Sequence, residues 1–144
     1  MRTNRLPAAI GNYVRYSRKA NKLLKATIGA AIEWLGVRCA APTGQSYIGA
    51  WNDQFYSFDL EGRLLWQIPI GGDGQITSSP SLDTAGNVYL ATHASSDKDR
   101  IAVYKFEPGS ALVWKFTDDL GVDRNRIISS PAIAQDGTLH VTSL

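Results

Sequence analysis

The sequence predicts an all-β chain: about two blades of a β-propeller, four antiparallel strands to a blade and the set incomplete, preceded by an N-terminal amphipathic helix. Three observations carry this. Segments of the chain match one another at a period near fifty residues. Within each period the apolar residues form short alternating runs bounded by Gly, Pro, Asn and Ser. Charge, finally, divides the chain: residues 1–38 hold eight basic side chains against Glu33 alone, residues 39–144 seven against twelve acidic ones, so the net charge of +2 is a cancellation. At 144 residues, 44% hydrophobic and 19% charged, the composition is that of a folded globular protein rather than a disordered or collagen-like one. Cys39 is the single cysteine, which excludes an intrachain disulfide, a four-cysteine zinc cluster and any C-x-x-C motif, and leaves the redox compartment open.

The first element is basic. Leu24, Ile28, Ala31, Ile32 and Leu35 recur at three- and four-residue spacing with Lys22, Lys25 and Glu33 on the other side, which predicts one helix over residues 17–35 and makes Gly36 its C-terminal cap. Residues 1–37 are assigned to this segment. Four readings stay open for it: a signal peptide, an organellar transit peptide, a membrane-surface contact through residues 1–36, and a helix that packs on its neighbour. Glu33 interrupts the apolar run at 26–37, Pro42 spoils the Cys39-Ala40-Ala41 cleavage candidate, and Arg38 disagrees with a lipoprotein signal, so no clear signal peptide is present. No run reaches the roughly 20 apolar residues that span a bilayer, and no nucleic-acid partner is expected.

Residues 38–144 repeat. Thr77-Ser78-Ser79-Pro80-Ser81-Leu82-Asp83 is echoed by Ile128-Ser129-Ser130-Pro131-Ala132-Ile133-Ala134 at an offset of fifty-one, and the strand after Gly86 is echoed by the strand after Gly137 at the same offset. Phe55-Tyr56-Ser57-Phe58-Asp59 matches Val103-Tyr104-Lys105-Phe106-Glu107 at forty-eight, in register through Trp66 and Trp114, and Gly44 to Gly49 aligns with Gly86 to Ala91 at forty-two. This predicts a partial blade at 38–76, a full blade at 77–127 and the start of a third at 128–144. In the full blade the strands are placed at 81–83, 88–92, 101–106 and 112–116. Four antiparallel strands per unit favour a propeller over a solenoid or a sandwich. A ring of four to eight such units is longer than this chain, so a fragment of a longer propeller, or copies that assemble, is the expectation.

The repeated residues have mechanical roles. Pro80 and Pro131 lack an N–H and suit the start of a strand, while Ser78, Ser79, Ser129 and Ser130 can bond nearby backbone. Gly86 and Gly137 suit turns, and Trp66 and Trp114, at equivalent places in the fourth strand, suit packing between blades, which predicts that both are buried. None of the serines sits in a Gly-x-Ser-x-Gly elbow or beside a base. The acidic loops at 97–99 and 118–123 lack the alternate ligands of a calcium loop, His93 and His140 lack zinc spacing, and the glycines at 71–74 precede a strand rather than a helix. No residue is assigned a catalytic, cofactor-binding or metal-binding role.

Ser-Ser-Pro, the Gly86-Asn87-Val88-Tyr89 strand, Phe55-Tyr56-Ser57-Phe58-Asp59 with Gly62, and Leu64-Leu65-Trp66 together resemble the pyrroloquinoline-quinone-type (PQQ-like) β-propeller repeat over residues 38–144. Ser57, Asp59, Gly62 and Trp66 fill the family's tryptophan-docking stretch one residue short; Lys105, Glu107 and Trp114 fill it more loosely, with Gly109 shifted. Quinone enzymes of the family use a calcium held by carboxylate and amide, a catalytic aspartate, and often a disulfide between adjacent cysteines, which one cysteine cannot form. The resemblance therefore implies the non-enzymatic branch, similar to the outer-membrane assembly lipoprotein scaffold. The expectation is a non-enzymatic propeller module for protein or ligand binding and scaffolding, without cofactor, its partner an unidentified protein or further blades, self-association included. A periplasmic or cell-envelope location is implied by resemblance, and a fragment of a quinoprotein dehydrogenase is the alternative.

Overall fold

A computed structural model describes residues 35–41, 43–50, 52–70, 75–93, 101–117 and 129–142. The helix expected over 17–35 lies outside these residues except for its last position, as do the glycines at 71–74 and the acidic loops at 97–99 and 118–123. Among the described residues every regular element is a strand: β1 (Leu35–Ala40), β2 (Ser46–Ala50), β3 (Gln54–Phe58), β4 (Leu64–Pro69), β5 (Ser81–Leu82), β6 (Val88–Ala91), β7 (Ala102–Phe106), β8 (Leu112–Thr117), β9 (Ala132–Ile133) and β10 (Leu139–His140). They form two four-stranded sheets, β1 to β4 and β5 to β8, and the pair β9–β10, each strand antiparallel to its sequence neighbour.

The first sheet corrects two expectations. Leu35 and Gly36, read as a helix end and its cap, belong to β1, whose backbone pairs with β2. The unit read as partial over 38–76 is thus a complete four-stranded sheet. Residues 35–37, the end of the apolar run, fit both a helical and an extended reading, and pairing along β2, invisible in local periodicity, decides there for the strand.

The offsets read from the sequence recur in the backbone. Ser46↔Phe58 and Tyr47↔Ser57 on β2–β3 have their counterparts in Val88↔Phe106 and Tyr89↔Lys105 on β6–β7. The register shift between Ser57 and Phe58 returns between Lys105 and Phe106, which keeps Trp66 and Trp114 at one position. Five of the short turns share one chemistry: in the turn after β3, Gly62 N–H donates to Asp59 O at 3.0 Å and Asp59 N–H to Arg63 O at 3.0 Å, with Gly62 at φ 81°. This is a type I turn closed by a left-handed residue, a loop whose twist suits a hairpin. Gly44, Gly86 and Gly137 fill the same position, but after β7 it is Ser110, at φ 82°, that does so. Gly109 lies one residue short of that position, as the shifted glycine implies, and Ser110 carries the strained turn instead.

The core lies between the two large sheets. Tyr47, Phe55, Ile70 and Ile76 from the first side meet Val88, Leu90, Ala102, Tyr104 and Phe106 from the second. At Gly49 the backbone comes so close to Ile76 that a Cβ would lie 2.0 Å from its Cγ2. Ile48, Ala50, Tyr56 and Phe58, on the other face of the first sheet, are fully buried as well.

Candidate functional site

The Ser-Ser-Pro segments tie one unit to the next. Ser78 Oγ donates to Ala91 O at 3.0 Å and holds the entry to β5 against the end of β6; fifty-one residues on, Ser129 Oγ accepts from Thr142 N at 3.0 Å at the equivalent place. Ser79 N–H donates to Ser130 Oγ at 3.1 Å, and Ser81 Oγ donates to Pro131 O, so consecutive units are joined through the motif itself. Pro80 and Pro131 are buried immediately ahead of β5 and β9. Each serine hydroxyl so described is engaged with backbone, the opposite of an activated nucleophile.

The polar chemistry concentrates where a fourth strand meets the following unit. On the first sheet the Trp66 indole lies against Tyr47 and Phe55, with ring centroids at 5.8 and 5.5 Å, and Phe55 reaches Phe106 of the second sheet at 5.6 Å. Trp66 Nε1 and Gln45 Nε2 both donate to Pro108 O at 3.2 Å. Gln45 Nε2 also donates to Ser57 Oγ at 2.8 Å, which aims the amide. The carbonyl at the tip of the β7–β8 turn is thereby held by two donors on an aromatic floor.

The corresponding place on the second sheet carries Asp83, Asn87, Tyr89, Lys105 and Trp114. Asp83 Oδ1 accepts from Ala85 N and Asn87 N at 3.0 and 2.8 Å, and Oδ2 from Asn87 Nδ2 and the Tyr89 hydroxyl at 2.7 and 3.1 Å. Lys105 Nζ stands 3.9 Å from Asp83 Oδ2 and 5.2 Å from the centre of the Tyr89 ring. Burial pushes the Asp83 carboxyl up, but the donors from Asn87, Tyr89 and Ala85 together outweigh it and hold the carboxyl below its ordinary value. Contact with Tyr89 raises the Lys105 ammonium, and the carboxylate of Asp83 adds to this. Trp114, expected to be buried, is 37% exposed, although its ring meets Tyr89 with centroids at 6.1 Å. The repeat alignment holds and the burial does not. Where a unit repeats, the residue type belongs to the position, and its exposure to whatever lies beyond.

Asp83, Asn87 and Lys105 were not singled out as a group from the sequence; the usable signal was that Asn87 aligns with Gln45 at the offset of forty-two. His93 lies in a backbone bridge with Gln75 and His140 in β10, so the structure does not bring the two histidines into one element. Among the described residues no three His, Cys, Asp or Glu side chains converge in a way that could hold a metal ion.

No protein-family model matches the chain and no curated protein matches it. Solved structures do. Quinohemoprotein alcohol dehydrogenase ADHIIG from Pseudomonas putida superimposes with a TM-score of 0.58 at 14% identity, over 69% of this chain and 19% of that one. The quinohemoprotein alcohol dehydrogenase of Comamonas testosteroni gives a TM-score of 0.58 at 15% identity, over 69% of this chain and 20% of that one. The chain spans about a fifth of the length of each. Both structures are of enzymes, which overturns the expectation of a non-enzymatic protein. That expectation rested on the lack of a converging set of reactive side chains, and a ring assembled from many similar units can keep its chemistry in others. At this identity the likeness is one of fold: the described residues are antiparallel blades of the β-propeller type.

Proposed function

We propose that the chain is a section of a quinoprotein-type dehydrogenase propeller, in which these residues build consecutive blades of the wall. The observation that carries this reading is the superposition on two quinohemoprotein alcohol dehydrogenases, supported by repeat offsets that recur in the strand registers. The described residues do not fit the quinone site itself: no three His, Cys, Asp or Glu side chains among them converge, the carboxylate and amide that do meet, Asp83 and Asn87, bond to each other with Lys105 beside them, and the serines of the repeat are bound to backbone. No step of a reaction is therefore placed on them. The same reading puts the protein in the periplasm or cell envelope.

The test is to read the coding region on both sides of this sequence, express the whole reading frame, and measure alcohol-dependent dye reduction with added pyrroloquinoline quinone and calcium. Further Ser-Ser-Pro and Trp units together with alcohol-dependent turnover are expected. A ring-sized frame that folds, takes up no quinone and reduces no dye would overturn the reading.

A further inference from the structure

We propose that Tyr89 is a redox-active side chain: it gives up one electron through Trp114 and its hydroxyl proton to Asp83, so that the second blade holds an oxidising equivalent as a neutral tyrosyl radical. Equivalent positions in the two blades show why. Trp66 and Tyr47 on the first sheet, and Trp114 and Tyr89 on the second, meet with ring centroids at 5.8 and 6.1 Å, so both blades carry the same contact of indole with phenol. The second blade adds a carboxylate. Where the first unit has Ala41 the second has Asp83, whose Oδ2 accepts from the Tyr89 hydroxyl at 3.1 Å. Tyr89 is only 6% exposed, which leaves that carboxylate rather than bulk water to take the proton.

The surroundings couple loss of the proton to loss of the electron. Lys105 Nζ lies 5.2 Å from the centre of the Tyr89 ring and 3.9 Å from Asp83 Oδ2, so a positive charge on the ring is repelled while the carboxylate is kept ionised and ready to accept. Asn87 Nδ2 donates to the same oxygen at 2.7 Å and holds it in place. Trp114, 37% exposed, offers an oxidant a surface in contact with the buried phenol. An oxidising radical takes one electron from the indole and becomes its anion. One electron then passes from Tyr89 to the indole cation; the phenolic O–H bond breaks, the proton bonds to Asp83 Oδ2, and Trp114 returns to its neutral form. The products are a neutral tyrosyl radical and a neutral carboxyl, with charge conserved. Neither quinone nor alcohol enters this step, so it stands apart from the dehydrogenase reading.

The test is pulse radiolysis of the full 144-residue chain with azide radical, a one-electron oxidant of indoles, followed by transient absorbance. A first-order phase is expected in which the visible band of the indolyl radical decays as the near-ultraviolet band of the tyrosyl radical grows. Trp66→Phe should leave this phase in place, whereas Trp114→Phe and Tyr89→Phe should remove it. Asp83→Asn, which keeps the shape and loses the base, should slow it about a hundredfold, the low end of what a positioned proton acceptor contributes. The melting temperature of each variant serves as the check on folding. A phase that survives Tyr89→Phe, or one that Tyr89→Phe abolishes and Asp83→Asn leaves at the wild-type rate, would overturn the proposal. So would the absence of any such phase in the wild-type chain.

Discussion

The hairpins β3–β4 and β7–β8 share a register, a bulge and a tryptophan, yet the first is sealed and the second is open. Trp66 is half-buried with its indole N–H on Pro108 O; Trp114, at the equivalent position, is 37% exposed with no acceptor among the described residues. Nothing in the two strands accounts for this. The difference lies in the next unit, which contributes a full sheet behind the first blade and, among the described residues, two short strands behind the second. A repeat position therefore fixes a side chain's direction and chemistry, whereas its stabilising effect depends on the neighbour it meets. Substitutions at equivalent positions should separate the two contributions.

The largest separation is expected at Phe55 and its counterpart Val103. Phe55 is fully buried and touches Trp66 on its own sheet and Phe106 across the interface between the sheets. Phe55→Ala should cost about 3–5 kcal/mol in urea unfolding, as removal of a buried aromatic ring does. Val103→Ala, under the smaller cover of β10, should cost less. Equal losses would mean that the interface between the sheets is no better packed than the half-covered face.

Next is Gly49, aligned with Ala91 at the offset of forty-two. The second blade carries a methyl at that position, fully buried. In the first a Cβ would meet Ile76 Cγ2 at 2.0 Å. Gly49→Ala should therefore destabilise by about 1–3 kcal/mol through overpacking, even though alanine suits a strand better than glycine. A neutral result would show that the segment around Ile76 gives way without cost.

Much of this was legible because a repeat makes a sequence its own alignment. The strand positions in the second unit, the shared register and the Trp66 and Trp114 pairing all follow from matches at forty-two, forty-eight and fifty-one residues. β1 was not legible: residues 35–40 have no second copy of equal length, since β5 has two residues where β1 has six. Local spacing then favoured a helix, and only the partner strand could have corrected it. The Asp83, Asn87 and Lys105 group escaped for a different reason. Its members replace Ala41, Gln45 and Ser57, so two charges, on Asp83 and Lys105, enter at positions that are uncharged in the first unit. The reading against an enzyme failed because missing residues in two blades carry no information about the rest of a ring.

Asp83 offers the comparison a pH dependence. Its donors outweigh burial and hold the folded carboxyl below the ordinary value of 3.8. The folded state thus binds its proton less readily than the unfolded chain, and this contribution is present above about pH 4, then is lost as pH falls through the lowered value. Asp83→Asn should cost about 1 kcal/mol at pH 7. The gap between wild type and variant should close below pH 4, as urea unfolding at several pH values would measure. A gap constant from pH 7 to pH 3 would show that the carboxylate's charge is immaterial. At the equivalent position the first blade has Ala41, so the Asp83 contribution has no counterpart there.

The smallest effect should come from the turns. Gly62 and Ser110 occupy the same place in equivalent hairpins, at φ 81° and 82°, and each donates its N–H to the residue three positions back. That conformation costs an L-residue about 1–2 kcal/mol through the approach of Cβ to the carbonyl, and glycine nothing. Ser110→Gly relieves the strain but enlarges the freedom of the unfolded chain, an opposing change of about 0.4–1 kcal/mol. The net gain should be under about 1 kcal/mol, a rise of a few degrees at most in melting temperature. Gly62→Ser should lower stability by a similar amount, because it imposes on the first blade the strain the second already bears. If both substitutions destabilise, the Ser110 side chain stabilises the turn by more than its backbone strain costs, and the two hairpins differ in energetics despite identical geometry.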